Sequence, residues 1–273
     1  GMEFRKLEEK YTAYEFFFAN KSELSITDPI AVDKYFEQHS FTKCINCAAY
    51  TGVDKAETEK EIAFEINAKA AGELAAVCKK YNTQFIHIST DYVFDGNGSS
   101  PYKESDQTNP IGIYGASKWQ GELDVLNNNE QSLILRTSWV YSSYGKNFVK
   151  TMLRLMSEKE TIGVVNDQFG SPTYAADLAE AILIIISSGK DPSLGIYNYC
   201  NQGIISWYDF AMEIKNLVNS KCIVNPIDTA SYPTPAKRPH YSVLDTTKIQ
   251  QTFALVIPAW KDSLKKCVAL LGQ

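Results

Sequence analysis

The sequence lacks a strong excess of charge of either sign. Its 27 Lys and Arg residues stand against 32 Asp and Glu residues, which gives a formal net charge of −5 at pH 7. Proteins that bind nucleic acids or anionic membranes through surface charge carry a basic excess. The composition therefore gives no support for a nucleic-acid or membrane partner.

Long hydrophobic runs are also absent. The strongest apolar run, AILIIIS at residues 181–187, is far shorter than the roughly 20 residues of a membrane-spanning helix. No signal-peptide pattern is visible in the printed residues. Because 44% of the residues are hydrophobic and 22% are charged, we expect a sizeable core, in one large domain or two small ones.

The cysteines form no recognisable metal or disulfide pattern. Cys44 and Cys47 have the CxxC spacing, but no second pair completes a zinc site. That stretch is also more typical of a strand running into a loop than of a redox helix start. We expect all six cysteines to be reduced core thiols of a cytoplasmic protein: Cys44, Cys47, Cys78, Cys200, Cys222 and Cys267.

Segments with the patterns of helices and strands alternate along the first half of the chain. GMEFRKLEEKY predicts a helix over the first eleven residues, AYEFFFA predicts a buried strand at 13–19, and Asp28 and Pro29 predict the start of a second helix. The alternation continues with strand 44–49, helix 60–81, strand 83–89, helix 113–126 and strand 132–139. It predicts βαβ units and an α/β fold with a parallel sheet, which binds ligands beyond the carboxyl ends of its strands. From about Tyr144 the alternation loosens, and we interpret the rest as a smaller domain interleaved with the last sheet elements.

Polar residues follow the predicted strand at 83–89. Ser89, Thr90, Asp91 and Tyr92 stand together at its exit. A turn that ends the strand through side-chain hydrogen bonds explains the same residues. The position at a strand exit makes them candidates for a binding site as well.

Tyr114 and Lys118 stand four residues apart on a predicted helix and therefore share a face. Chance alone readily produces this spacing, so the chemistry is the stronger argument. A nearby ammonium group favours the phenolate and lowers the pKa of a tyrosine from its usual value of about 10. Such a tyrosine is able to protonate a carbonyl oxygen as that carbonyl accepts hydride, while a Thr hydroxyl orients the oxygen.

Small residues follow the predicted strand at 44–49. Ala48 and Ala49, in NCAAYTGVDKAE, allow a cofactor to approach the backbone closely. Tight packing of a helix against a strand explains them equally well.

Taken together and in order, these pieces resemble the extended short-chain dehydrogenase/reductase family. The resemblance covers nearly the whole chain and is much more specific than the Tyr–Lys spacing alone. It runs through NCAAYTGVDKAE, ISTDYVFDG, PYKESD, NPIGIYGASKWQGE, LILRTSWVYSSYGKNFVKTM, DQFGSPTYAADLA, GIYNYCNQGIISWYDFA and KRPHYSVLD.

The resemblance implies a Rossmann-like, doubly wound parallel sheet with a smaller C-terminal substrate domain. Residues 1–142 would form the dinucleotide-binding part, with 172–200 returning to it, and 143–171 and 201–273 would mainly bind substrate. The implied activity is reduction of the 4-keto group of dTDP-4-dehydro-L-rhamnose, a nucleotide sugar, by NADPH or NADH.

The same resemblance implies roles for individual residues. Tyr114 would be the catalytic acid, Lys118 its partner that also holds the nicotinamide ribose, and Thr90 the hydroxyl beside the substrate carbonyl. The other implied substrate-binding residues are Asp91, Trp139, which packs on the sugar, and Arg238, near the nucleotide diphosphate. The other implied cofactor-binding residues are Ala48, Ala49 and Thr51 in one loop and Ser25 and Ile26 near the adenosine.

One departure from the family is large. Its members begin with a strand and a glycine-rich turn that holds the cofactor pyrophosphate, and the printed residues contain neither ahead of the first helix. We interpret Gly1 as a residue left by tag removal in front of Met2 rather than as the last glycine of that turn. We therefore expect a gap, a rearranged pairing or a strand from another chain between 13–19 and 44–49, together with weak NAD(P)H binding.

Two other functions fit the same resemblance. A non-catalytic relative, similar to the regulatory subunit of methionine adenosyltransferase, would bind a partner instead of turning over substrate. Another nucleotide-sugar reductase or an epimerase would use the same residues on a different sugar. Some family members are described as metal-linked dimers, so a homodimer and Mg²⁺ stay open, although no ligand cluster in the sequence indicates a metal.

Overall fold

The computed structural model describes residues 1–188 and 195–272. Its α-helices are α1 Met2–Leu7, α2 Pro29–Glu37, α3 Val53–Ala56, α4 Lys60–Phe64, α5 Ala70–Lys80, α6 Ile113–Asn128, α7 Phe148–Glu158, α8 Ala175–Ser187, α9 Trp207–Leu217, α10 Thr247–Phe253 and α11 Trp260–Leu271. Its strands are β1 Lys43–Asn46, β2 Gln84–Thr90, β3 Leu133–Thr137, β4 Val140–Tyr141, β5 Thr161–Val165, β6 Phe169–Gly170, β7 Thr173–Tyr174, β8 Gly195–Asn198, β9 Ile205–Ser206 and β10 Ile223–Ile227.

The main sheet has the order β1-β2-β3-β8, and its strands are parallel. The register places Asn46 beside His87 and Thr90 beside Thr137, so the carboxyl ends of the first three strands meet at one edge. Helices separate the strands along the chain because parallel neighbours need a crossover connection. The predicted α/β fold with a parallel sheet is confirmed.

The long helix predicted over 60–81 is interrupted. A π-helical segment at Glu65–Lys69 joins α4 to α5. There α6 comes very close, because a Cβ added at Gly121 would lie 2.0 Å from the carbonyl oxygen of Asn67. The Asn67 side chain accepts from the Tyr50 backbone N–H at 2.8 Å and donates to the Ser117 hydroxyl at 3.0 Å. Glycine at 121 therefore lets this segment brace the first turns of α6.

The prediction of a strand at 13–19 is wrong. Among the described residues this segment pairs with no strand, and β1 pairs only with β2. A cavity of about 460 Å³ separates the segment from the free side of β1, and its lining includes Phe16, Phe17, Phe18 and Gly1. This aromatic segment would need a neighbouring strand to pair with before it could form a strand itself. Among the described residues no strand occupies the cavity, which we call the slot beside β1. The expected gap in the sheet is present in the structure.

α1, α8 and α10 contribute to the hydrophobic core of the main sheet, and a second hydrophobic core lies around α7, α9 and α11. Three small sheets belong to this region, with β5 parallel to β10, β4 parallel to β7 and β6 antiparallel to β9. Ser206 and Asp209 form a capping box at the start of α9, which fixes where that helix begins. Residues 189–194, in the segment expected to return to the first domain, lie outside the described residues.

All six cysteines are free thiols, but not all lie in the core. Cys78, Cys200, Cys222 and Cys267 are buried, as expected. The expectation is wrong for Cys47, which is exposed, and Cys44 is only half-buried. Both lie at the free side of β1 or just beyond its end, where no further strand covers them. Within residues 1–188 and 195–272, no helix is long and apolar enough to cross a membrane.

Candidate active site

The end of β2 and the first turn of α6 bring Thr90, Asp91 and Tyr114 together. Thr90 is the last residue of β2, and its hydroxyl donates to Oδ1 of Asp91 at 3.0 Å. The Tyr114 ring meets the Tyr92 ring edge-on, with centroids 5.6 Å apart. Burial raises the pKa of Asp91 to about 6, while the hydroxyls of Ser242 and Thr90 act in the opposite direction. These polar residues therefore end the strand and also face Tyr114.

The pKa of Tyr114 is raised to about 12, first by burial, with the Asp91 charge adding to it and the Thr90 hydroxyl opposing it. This differs from the expected lowering by Lys118. The Lys118 ammonium group is not among the causes of the Tyr114 pKa shift. Its side chain is held by His87 and by the Ile88 carbonyl instead. At neutral pH the phenol of Tyr114 is accordingly fully protonated and able to donate.

Lys118 is only 2% exposed. Its Nζ donates to the carbonyl oxygen of Ile88 at 2.7 Å and lies 3.1 Å from Nε2 of His87. Burial lowers the pKa of Lys118 to about 8, and the charges of Glu122 and Cys47 partly offset that lowering. Its charge is therefore able to change within the pH range in which enzymes work.

Sequence reasoning missed His87 and Asn46. His87 lies on β2, is fully buried, and has its pKa held well below the usual value by burial and by the Lys118 charge. Asn46 ends β1, and its Nδ2 lies 3.1 Å from Nδ1 of His87. The strand pattern of TQFIHIS gave no sign that its histidine is buried and contacts Lys118.

A buried ion pair joins α6 to strand β3. Arg136 on β3 donates to both carboxylate oxygens of Glu122 at 2.9 and 2.7 Å, and Ser89 donates to one of them. The Arg136 guanidinium also lies over the Phe94 ring, 5.1 Å from its centroid. Sequence reasoning missed this pair too, because its partners lie on different elements.

The residues expected to bind cofactor lie in two places. Ala48 and Thr51 are exposed and Ala49 is half-buried in the loop after β1, where the Ala48 N–H donates to Oδ1 of Asn46 at 3.0 Å. Ser25 and Ile26 precede α2. Ile26 lines the slot beside β1, as Ala48 does. The structure thus brings one residue of each set, Ile26 and Ala48, to the cavity beside β1.

Trp139 packs against the second core, whereas Arg238 contacts α3. Trp139 follows β3 by two residues, has a φ of +48°, and stacks on Trp207 with ring centroids 3.6 Å apart. A Cβ at Gly170 would lie 2.5 Å from the Trp139 indole, so glycine is needed there. Arg238 donates to Asp54 at 2.8 Å.

Arg238 is also tied to the polar cluster at the end of β2. The Arg238 and Asp91 charges both affect the pKa of Tyr92, which burial raises. The guanidinium therefore lies within electrostatic reach of the residues around Tyr114.

This geometry places a phenol, a hydroxyl and a buried lysine at the carboxyl edge of a parallel sheet. The family model described as "RmlD substrate binding domain" matches residues 1–272. The chain belongs to the RmlD substrate-binding domain family. The dTDP-4-dehydrorhamnose reductase of Aggregatibacter actinomycetemcomitans, a similar member, is 43% identical over 92% of this chain and 89% of its own.

Solved structures of related reductases agree with this family. A dTDP-4-dehydrorhamnose reductase from Clostridium acetobutylicum is 39% identical, covers 100% of this chain and 96% of its own, and superposes with a TM-score of 0.95. The reductase from Bacillus anthracis, solved in complex with NADP, is 38% identical with a TM-score of 0.93, over 98% of this chain and 95% of its own. The resemblance to the larger dehydrogenase/reductase family is confirmed for this RmlD-type chain.

Proposed function

We propose that this protein reduces the 4-keto group of dTDP-4-dehydro-L-rhamnose with NADPH or NADH, which gives dTDP-L-rhamnose. The observation that carries this proposal is the placement of Tyr114, Thr90 and Lys118 at one sheet edge, in a chain of the RmlD family. The related reductase that binds NADP favours NADPH as the reductant.

The residues beside Lys118 suit the nicotinamide end of such a cofactor. Ala48 and Ala49 carry only methyl groups, so a planar ring is able to approach the backbone there. Cys47, which directly precedes Ala48, affects the pKa of Lys118 and so lies within electrostatic reach of the lysine. Lys118 and the loop would hold the nicotinamide ribose, and NADPH supplies the hydride when bound. The described residues offer no glycine-rich turn between a strand and a helix for the pyrophosphate.

Tyr114 is the proton donor in this proposal. Its phenol stays protonated at neutral pH because burial and Asp91 raise its pKa to about 12. The Thr90 hydroxyl, at the end of β2, holds the carbonyl oxygen in line with that phenol. As the carbonyl carbon is reduced, the O–H bond of Tyr114 breaks and its proton passes to the new alkoxide oxygen.

The remaining residues position the nucleotide sugar. Trp139 offers an aromatic face to the deoxyhexose ring, and Asp91 lies in the pocket beside the reacting carbonyl. The Arg238 guanidinium suits the diphosphate, because its planar fork matches phosphate oxygens. Asp54 holds Arg238 in place until phosphate competes for it.

The test is turnover of dTDP-4-dehydro-L-rhamnose by the wild type, Thr90→Ser and Thr90→Val, followed as loss of NADPH absorbance. We expect Thr90→Ser to keep most of kcat and Thr90→Val to lose most of it, with NADPH affinity unchanged in both. Binding of the dTDP-sugar without turnover would favour the non-catalytic relative instead. Tightly held NAD that co-purifies with the protein would favour an epimerase.

The cytoplasmic location, the division into two domains and a homodimer stay predictions. Gel filtration with light scattering would measure the oligomeric state directly. Among the described residues, no group of three or more His, Cys, Asp or Glu side chains is placed to hold a metal ion. Turnover with and without Mg²⁺ would test any dependence on that ion.

A further inference from the structure

Three buried side chains, Asn46, His87 and Lys118, contact one another in a line. A neutral imidazole has one nitrogen that donates and one that accepts. Nδ1 of His87 lies 3.1 Å from the Asn46 side chain, and Nε2 lies 3.1 Å from Nζ of Lys118. The neighbours of each nitrogen therefore decide which one carries the proton.

The orientation of the Asn46 amide decides the first contact. The Ala48 backbone N–H donates to Oδ1 of Asn46 at 3.0 Å, so Oδ1 points toward Ala48. The Asn46 Nδ2 then faces His87 and donates to it, which makes Nδ1 of His87 the acceptor. In the neutral ring, the proton must accordingly lie on Nε2.

The Nε2–H bond of His87 then points at Nζ of Lys118. An ammonium group has no lone pair, so it is unable to accept this bond, whereas a neutral amine accepts it and still donates to the Ile88 carbonyl. Burial of Lys118 without a carboxylate in hydrogen-bond contact favours the same neutral amine.

We propose that Asn46 locks His87 as the neutral Nε2–H tautomer, and that His87 acts as a positioning residue that holds Lys118 against Ile88 as a neutral amine. This proposal deepens the function proposed above and rests on it only for its effect on catalysis. Lys118 would take up its charge only when the ring turns its tautomer or the lysine leaves His87.

The groups that face Lys118 are few. His87 approaches it from β2, Glu122 lies one turn later on α6, and Cys47 lies beyond β1. The charges of Glu122 and Cys47 raise the pKa of Lys118, and burial lowers it to about 8. His87 adds a donor that opposes the ammonium form, so loss of the lock should raise this pKa.

The direct test is NMR of the imidazole nitrogens in ¹⁵N-labelled protein, which needs no turnover. The chain has only three histidines, and His39→Gln and His240→Gln assign the other two signals. We expect His87 to show a protonated Nε2 and a bare Nδ1 at pH 9, where Lys118 is mostly a neutral amine. His39 serves as an internal reference of the opposite tautomer, because its Nδ1 lies 2.8 Å from the Tyr35 carbonyl. A protonated Nδ1 or a doubly protonated ring at His87 would overturn the proposal.

The second test removes the lock without adding charge. In Asn46→Ala, we expect His87 to move its proton to Nδ1 and the Lys118 titration, followed by ¹³Cε shifts and assigned by its loss in Lys118→Met, to rise by about one pH unit. Lys118→Met should leave the His87 tautomer unchanged, because Asn46 sets it. An unchanged tautomer or an unchanged or lower Lys118 pKa in Asn46→Ala contradicts the proposal. If the NMR results are as expected but no substrate is turned over, the proposed function fails and this inference stands.

Discussion

Arg136 binds Glu122 through two hydrogen bonds inside the protein, between β3 and α6. Both side chains are at most 3% exposed. Removing one partner of such a pair leaves an unpaired buried charge, which costs about 3–5 kcal/mol. The pair fixes the face of α6 that carries Lys118, so its loss should be felt both in stability and at the site.

We expect Glu122→Gln to lower the free energy of unfolding by about 3 kcal/mol or more. It should also lower the pKa of Lys118 further, since the Glu122 charge raises it. Urea denaturation measures the first effect. Glu158→Gln is the control, because its ion pair with Arg154 lies on the surface and contributes less than about 0.5 kcal/mol. Equal midpoints for the two variants would contradict the prediction.

Tyr114→Phe removes the proposed proton donor and leaves the ring in place. General acid catalysis typically contributes about 10²–10⁴-fold, so we expect kcat to fall by that factor while the free energy of unfolding stays within about 1 kcal/mol. Steady-state kinetics with the dTDP-sugar and a thermal melt measure both. Tyr81→Phe, at the end of α5, is the matched control and should keep wild-type kcat. Turnover by Tyr114→Phe within a few-fold of wild type would remove Tyr114 from the mechanism.

The local order of elements could be predicted from sequence because it depends on neighbouring residues. Asp28 caps α2 with Pro29 as its first residue, and β2 ends at Thr90, just where polar residues begin. The prediction of a strand at 13–19 was wrong because a strand needs a partner strand, and the residues of the segment itself do not specify that partner.

The site was predictable to the same extent. The positions of Thr90, Tyr114 and Lys118 follow from strand exits and helix spacing, and the resemblance supplied their roles. Their pKa values could not be predicted from the sequence. They depend on where the Lys118 side chain points, and Lys118 contacts His87, which lies 31 residues away along the chain. The sequence spacing puts Tyr114 and Lys118 on one helix face but is silent on where the ammonium group points.

Lys118→Met should stabilise the protein while it abolishes function. The folded pKa is about 8 against 10.5 for the free side chain, so between these values the unfolded chain binds more protons and stability rises with pH. Below pH 8 the full cost of the buried charge is present. We expect the variant to be more stable than wild type by about 1–2 kcal/mol at pH 7, since loss of two hydrogen bonds offsets part of the gain.

Two measurements check this prediction. The stability difference from wild type, measured in urea, should shrink between pH 8 and pH 10. NADPH titration should show weaker binding, because Lys118 is proposed to hold the ribose. Lys69→Met is the control, since Lys69 is exposed and forms its ion pair with Glu65 one helical turn away. Unchanged NADPH affinity in Lys118→Met would count against the ribose contact.

Asp91→Asn should change the acid side of the stability curve. The folded pKa of Asp91 is about 6 against 3.8 for the free side chain, so between these values the folded state binds more protons and stability falls as pH rises. We expect Asp91→Asn to be more stable than wild type by about 1–3 kcal/mol at pH 7 and to show no such gain at pH 4. Thermal melts at the two pH values measure this, with the exposed Asp106→Asn as control. A gain of equal size at both pH values would show that folding does not raise the pKa of Asp91.

The slot beside β1 should accept one more strand. It has a volume of about 460 Å³ and is lined by Gly1, by the aromatic segment at 13–19 and by the whole of β1. In the part of the chain that the structure describes, β1 pairs with β2 alone, so its other side offers backbone groups to which a parallel strand would hydrogen-bond. A chain extended ahead of Gly1 by an apolar strand and a glycine-rich turn should therefore be more stable and should bind NADPH at least about tenfold more tightly, a difference of about 1.4 kcal/mol.

The matched control is an extension of equal length made of Gly and Ser. Urea denaturation and calorimetric titration with NADPH compare the two extended proteins with the chain as printed. Equal NADPH affinity in all three would mean that the slot has no part in cofactor binding and that the loop after β1 and Lys118 hold the nucleotide without it.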